Sequence, residues 1–256
     1  MNIVGLTGAI GHGKSAIANA LQHYDSQALH LETNMPIMEL ANALQNDLIS
    51  MQVSSSPEFV ASWLCNLPIH IDRYMHDTVL PEDVCPTIQD LRENTDQHQK
   101  LFTYLETMQA NPDLVGATID ADNKETYRPL LQWIGGYMIR RLGLLVWVGE
   151  IMERVRDYQA NGGTLAIIGG LRSQPEANLV RDAGGVVVYV RRPDTPERDT
   201  SDATEVTRKA ITHDAMVINN GTLQQLDACA LQLLQDIRAG KVQATYDAAH
   251  ATEPSE

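Results

Sequence analysis

The sequence predicts an α/β fold, a mostly parallel sheet flanked by helices and interrupted by a helical insertion. Three observations carry this. Short aliphatic and β-branched runs at Ile3–Leu6, Ala28–Leu31, Thr164–Ile168, Val186–Val190 and Met216–Ile218 alternate with stretches of helical periodicity. Such alternation builds a sheet whose faces are both covered by helices. The first run also leads directly into a glycine-rich turn and then a helix.

That turn is Gly8-Ala9-Ile10-Gly11-His12-Gly13-Lys14-Ser15, the full G-x-x-x-x-G-K-[ST] pattern between a predicted strand and a predicted helix. Glycines in this spacing let backbone N–H groups turn toward phosphate oxygens. Lys14 is expected over the β- and γ-phosphates of a nucleoside triphosphate, with the Ser15 hydroxyl on Mg²⁺. The helix starting near Lys14 adds its positive end. A tight glycine turn without a ligand is the competing reading, and the strand–loop–helix context weighs against it.

Further along, Ala16, Ile17, Ala20 and Leu21 form the apolar stripe of the first helix, which Asp25-Ser26 closes. Pro36 falls at the first turn of the next helix, where its missing N–H costs nothing, and Ile37, Leu40, Ala41, Leu44 and Leu48 make its buried face. Glu32, Thr33 and Asn34 lie at the strand-to-helix junction. Glu32 is there a candidate for metal or acceptor, weighed against a solvated loop acid. Residues 50–127 are the least regular, broken by Ser54-Ser55-Ser56-Pro57, Pro68, Pro81 and Pro86, with one helix expected over Ile88–Met108. They read as helices and loops over one side of the sheet. Asp120, Asp122 and Glu125 form an acidic cluster that a solvated loop explains better than a metal.

From Tyr127 to Ala160 the periodicity is helical again, with breaks or close packing at Gly135-Gly136 and Gly143. Gly169-Gly170-Leu171-Arg172 follows the third strand, at the edge where open α/β sheets gather ligands. A helix is expected over Pro175–Asp182, and Arg191-Arg192-Pro193 follows the fourth strand. A polar loop is expected at Asp194–Asp202 and a short helix at Ala203–Ala210. Thr222 with Gln225 forms a capping box for the last helix. Residues 1–240 thus read as one domain that includes the 50–127 insertion, and 241–256 as a frayed or disordered tail. The spatial order of the five strands cannot be read from the sequence.

Composition narrows the function. At 256 residues and 43% hydrophobic content the chain can bury a real core, and with 5% aromatics the packing should be mainly aliphatic. A formal charge of -14 argues against polymeric nucleic acid as a partner. Eleven of the fourteen arginines nevertheless fall between Arg128 and Arg208, as if to hold a small anion. Ordinary surface ion pairing is the alternative for any one of them. Cys65, Cys85 and Cys229 have no ligand-like spacing and read as reduced thiols of a cytoplasmic protein. The chain opens on the first strand rather than on a leader, and no apolar run is long enough to span a membrane.

Two chemistries remain for the triphosphate. A kinase must align donor and acceptor, exclude water and neutralise charge, tasks for which arginines on closing segments suffice. A mechanical or switching hydrolase would more often place an acid after a hydrophobic strand, yet Leu165–Ile168 and Val186–Val190 end in Gly and Arg.

Several later motifs bear on this choice. They are Tyr127-Arg128-Pro129-Leu130-Leu131-Gln132-Trp133-Ile134-Gly135, Gly170-Leu171-Arg172-Ser173-Gln174-Pro175-Glu176-Ala177 and Asp182-Ala183-Gly184-Gly185. Arg191-Arg192-Pro193, Ser201-Asp202-Ala203-Thr204-Glu205 and Ile218-Asn219-Asn220-Gly221-Thr222-Leu223 follow them. Over residues 1–48 and 127–238 the chain resembles the phage and bacterial deoxynucleoside monophosphate kinases, within the P-loop nucleotide kinase group. Its phosphate loop is also similar to that of dephospho-coenzyme A kinase. The resemblance implies a P-loop NTPase-like, nucleotide-kinase-like fold, with ATP and Mg²⁺ as donor and cofactor and a deoxynucleoside 5′-monophosphate as acceptor. It casts Gly8, Ala9, Ile10, Gly11, His12, Gly13, Lys14 and Ser15 as the donor site and Lys14, Arg128 and Arg172 as catalytic. A homodimer is the assembly entertained. The chain departs from the family where Gly170-Leu171-Arg172 replaces the usual Asp-Val-Arg and Thr204-Glu205 replaces Ser-Glu. Glu32, Asp199 or Asp202 are the candidates to make good the missing acid. An ATPase without a small acceptor, a weakened ATP-binding protein and another small-molecule kinase stay open.

Overall fold

The computed structural model describes residues 1–75, 78–120, 122–195 and 207–251. The chain divides into two units, one made of Met1–Thr33 with Ile151–Glu256 and the other of Asn34–Glu150. The first holds the sheet and the second is helical.

The sheet has six strands, β1 (Asn2–Thr7), β2 (Leu29–Glu32), β3 (Leu165–Gly169), β4 (Val186–Arg191), β5 (Ala215–Ile218) and β6 (Thr245–Asp247). They lie in the order β2-β3-β1-β4-β5-β6, and every pair is parallel. The chain leaves β1 toward β2 on one side and reaches β5 and β6 on the other. The reversal falls between β1 and β4, and a crevice opens beside the strand ends at such a point.

Alternation along β1 explains the two faces. Val4 and Leu6 join Ile17 and Leu21 of α1 (Lys14–Tyr24) and Leu226 and Leu233 of the last helix (Leu223–Ala239) in one apolar core. Gly5 faces the other way, toward the helix Gln174–Asp182. A Cβ there would lie 2.7 Å from Leu171 Cδ1 and 3.2 Å from Val180 Cγ1, so the glycine permits close helix–sheet approach.

The helical unit contains α2 (Met35–Asp47), α3 (Pro57–Trp63), α4 (Leu67–Tyr74), α5 (Ile88–Glu93), α6 (Thr95–Ala110) and α7 (Arg128–Leu142). It also holds the start of α8 (Val146–Ala160). Two helices replace the single one expected over Ile88–Met108, because Asn94 leaves the helical region at φ -107° and ψ 50°. Its core is mainly aliphatic, as expected, and it also gathers most of the chain's aromatic side chains. Nine of the thirteen aromatic residues lie in this unit, and Trp133 stacks on Tyr137 with ring centroids 4.8 Å apart. Their polar atoms are satisfied inside: Trp63 Nε1 donates to Leu44 O at 2.9 Å and Tyr137 OH to Val84 O at 2.9 Å.

The remaining helices follow the expected order, with α9 (Gln174–Asp182) and α10 (Leu223–Ala239) in the sheet unit. The frayed end expected past Gly240 is corrected by β6, which pairs Met216↔Thr245 through Ile218↔Asp247 and is followed by a 3-10 turn at Ala248–His250. Tyr246 is buried there and its OH donates to Asp236 Oδ2 at 3.0 Å. One anchoring aromatic in an otherwise Ala- and Thr-rich stretch is too little pattern for a strand to announce itself. The loop expected through Asp202, the motif at Thr204-Glu205, and Asp199 and Asp202 lie outside the described residues. The tail beyond residue 251 does too.

Candidate active site

The site is built at the carboxyl edge of the sheet. β1 ends at Thr7, whose Oγ1 donates to Leu171 O at 3.0 Å, while Leu171 N donates to Leu6 O at 3.2 Å. These two bonds tie the segment after β3 to the root of the phosphate loop. Gly8 then turns at φ 142°, and a Cβ on it would lie 2.3 Å from Val190 O of β4. Only a glycine lets the loop leave the sheet at this point.

The loop itself is held from both ends. Gly11 and Gly13 have φ of 83° and 97°. Lys14 Nζ donates to Gly8 O at 2.8 Å and Ala9 O at 2.9 Å, so the ammonium is folded over the loop's own carbonyls. Asn219, just past β5, donates Nδ2 to His12 O at 3.1 Å and is itself buried. Its partner is remote in sequence, so the Asn219-Asn220-Gly221 turn is the only local signal of this role. His12 is buried and neither ring nitrogen meets a hydrogen-bond partner among the described residues. Ile10 is exposed.

α1 starts at Lys14 behind Gly13, which has no side chain to cap the first N–H groups. An uncapped helix start, a cation in the loop and an exposed hydroxyl at Ser15 form a donor set that fits a magnesium-bearing triphosphate.

Arg172 sits at the same edge, with an exposed side chain. Its backbone is fixed by the start of α9: Arg172 N donates to Glu176 Oε2 at 2.5 Å and Ser173 N to the same oxygen at 3.0 Å, while the Ser173 hydroxyl accepts from Glu176 N. This is a capping box. Burial pushes the Glu176 carboxyl above its usual range, against the opposing pull of those two amides. β2 contributes Glu32, whose Oε1 lies 3.2 Å from His30 Nε2. Thr33 N donates to Gly169 O at 3.0 Å and Thr33 Oγ1 to Gly170 O at 2.9 Å. The structure thus brings Gly8–Ser15, Glu32, Gly170 and Arg172 together on one sheet edge.

Arg128 belongs to the helical unit. It begins α7, and its Nε and Nη2 reach the Glu125 carboxylate at 2.7 and 2.5 Å, both side chains being more than half exposed. The neighbouring Asp120 accepts from Asp122 N and Asn123 N at 2.8 and 3.0 Å, so the acidic cluster is a turn. Among the described residues no group of three or more His, Cys, Asp or Glu side chains is placed to hold a metal. The helical unit also carries a polar cavity of about 230 Å³ beside Asp90, His98, Tyr137, Arg140 and Arg141. Burial lowers the His98 pKa there, first of its causes, with the Arg140 charge adding to it.

The family model for deoxynucleotide monophosphate kinase matches residues 68–229, more than half of the chain. The chain belongs to that family. The matched stretch contains Arg128 and Arg172 and leaves the phosphate loop outside it, so the loop's motif and the family match are separate observations. No curated protein matches the chain. As a deoxynucleotide monophosphate kinase family member the protein has a nucleotide-kinase-like phosphotransfer function in general terms. Its parallel sheet with flanking helices is the α/β architecture of that P-loop kinase group. No helix among the described residues is long and apolar enough to cross a membrane.

Proposed function

We propose that the protein transfers the γ-phosphoryl group of ATP to a deoxynucleoside 5′-monophosphate. A bond forms between an acceptor phosphate oxygen and the γ-phosphorus, the bond from that phosphorus to the β–γ bridging oxygen breaks, and ADP and the diphosphate leave. The observation that carries this reading is the glycine-turned loop at the end of β1 in a chain of this family, with Lys14 held over it.

Residue roles follow from chemistry. Gly8 to Ser15 bind the donor phosphates, and Lys14 leaves the carbonyls of Gly8 and Ala9 to meet them. Ser15 offers its hydroxyl to Mg²⁺, which when bound screens the charge on the phosphates. Arg172, with its backbone clamped by Glu176, presents a guanidinium to the acceptor phosphate or the group in flight. Arg128 serves an acceptor phosphate by exchanging Glu125 for it. A phosphate acceptor is already ionised and needs no general base, so orientation and charge are the protein's contributions. Action on free nucleotides rather than on a nucleic acid polymer accords with the charge of -14, and a cytoplasmic setting accords with the free thiols of Cys65, Cys85 and Cys229.

Purified protein given Mg-ATP and a panel of deoxynucleoside monophosphates should release diphosphates. ATP hydrolysis that no monophosphate accelerates would replace this reading with an ATPase. Lys14→Ala should weaken ATP binding at least about tenfold, the loss of a charged hydrogen-bonding group, with an unchanged circular dichroism spectrum. Arg172→Ala should lower phosphoryl transfer more than ATP affinity. A variant that only unfolds would make Arg172 a structural residue.

A further inference from the structure

We propose that Glu32 serves the magnesium ion of the bound nucleotide through that ion's water shell, and that position 169 is glycine so that it can. The inference rests on the kinase reading above and adds to it a residue and a mode of metal contact.

Glu32 and Gly169 are the last residues of β2 and β3 and are register partners. A Cβ built on Gly169 would lie 2.1 Å from Glu32 Oε1, 2.4 Å from Cδ and 2.6 Å from Oε2. The carboxylate therefore occupies the space in which any side chain at 169 would begin. One on Gly170 would come within 3.2 Å of Oε2 and 3.0 Å of Thr33 Oγ1, at a φ of +81°. The carboxylate is thus laid over the end of β3. His30 Nε2 meets Oε1 from the side, and the two bonds from Thr33 to Gly169 O and Gly170 O lock the two strand ends together.

β2 is two strands from β1, but the Glu32 carboxylate lies over the end of β3, so it stands about one strand spacing, near 4.8 Å, from the line of the strand that carries the phosphate loop. That gap exceeds a direct magnesium–oxygen contact of about 2.1 Å and leaves room for a water between the carboxylate and the ion. Magnesium keeps most of its waters and takes only one or two carboxylates along with substrate phosphates. The Glu32 side chain is 36% exposed, open to such an ion. A carboxylate facing the acceptor phosphate would repel it, and no base is needed there. Other described strand ends offer less: β4 and β5 end in Arg191 and Ile218, and the Asp247 carboxylate of β6 is taken by Ala249 N and His250.

The test is ATP binding by calorimetry with Mg²⁺ and with EDTA, on the full chain. Wild-type protein should bind ATP more tightly with Mg²⁺. Glu32→Gln keeps the volume and removes the charge; it should cut that Mg²⁺ advantage about tenfold and leave binding in EDTA unchanged or tighter. Gly169→Ala presses only on the end of a flexible side chain, so it should fold, displace the carboxylate and produce the same loss with Glu32 still present. Thermal melting checks that both are folded. A wild-type Mg²⁺ advantage retained in Glu32→Gln overturns the proposal, as does a wild type that binds ATP equally with and without the metal. Loss in Glu32→Gln but not in Gly169→Ala overturns the role of the glycine. Failure of wild type to bind ATP at all overturns the kinase reading itself and this proposal with it.

Discussion

Gly8 is asked to do two things at once, to end a strand packed against β4 and to start a loop that leaves the sheet. Its φ of 142° and the 2.3 Å separation between an added Cβ and Val190 O leave no room for a side chain. Gly8→Ala should destabilise the protein by about 2 to 4 kcal/mol, the sum of backbone strain and overpacking against a rigid carbonyl. Urea unfolding measures it, and a loss below about 0.5 kcal/mol would mean that the loop relaxes away from β4. The residues of the phosphate loop were legible in the sequence because their chemistry is written in eight consecutive positions. Asn219 was not, since its bond to His12 O joins residues 207 apart in the chain. Nor was the fit between Glu32 and Gly169, which exists only once β2 and β3 lie side by side. Arg128 was legible as a cation, but its pairing with Glu125 depends on the conformation of the turn before α7.

At the level of elements, α1, α10 and β6 bring together three groups whose protonated forms the fold prefers. Tyr24 of α1 is hydrogen-bonded to Asp227 of α10, which pushes its pKa up to about 12. Burial raises Cys229 of α10 to about 11 and is the main cause lifting Tyr246 of β6 to about 12. In each case the folded value lies above the ordinary one, 9.0 for the thiol and 10.0 for the tyrosines. Their contribution is therefore complete below about pH 9 and is lost as the pH climbs from there through about 12. The urea midpoint should hold up to about pH 9 and fall beyond it, and Tyr24→Phe should flatten part of the decline. A midpoint constant to about pH 11 would refute the linkage. The elements themselves were legible where local rules govern them: Thr222 and Gln225 form the capping box, and Pro36 lies in the first turn of α2. Local rules do not reach the places where one residue decides, Asn94 between α5 and α6 and Tyr246 in β6.

Across the whole molecule, strand order was the part the sequence could not supply, because parallel neighbours are chosen by helix crossovers rather than by local pattern. The two units have separate apolar cores, and all three tryptophans, Trp63, Trp133 and Trp147, belong to the helical one. Tryptophan fluorescence therefore reads that unit, whereas circular dichroism reads both. α8 runs from Val146 to Ala160 and so contributes residues to each unit, and a helix unravels cooperatively. The two signals should give one coincident urea transition. Saturation with Mg-ATP at about 100 times its Kd should raise both by about 2.7 kcal/mol. Two separated transitions, with only the dichroism signal moved by ATP, would show units that unfold alone. β6 bears on anyone who trims the chain for expression. Gly240 is the natural place to cut on sequence grounds, yet β6 covers the outer ladder of β5. A product ended there would carry an open row of unpaired backbone groups along Ala215–Ile218, an invitation to strand-by-strand association between molecules.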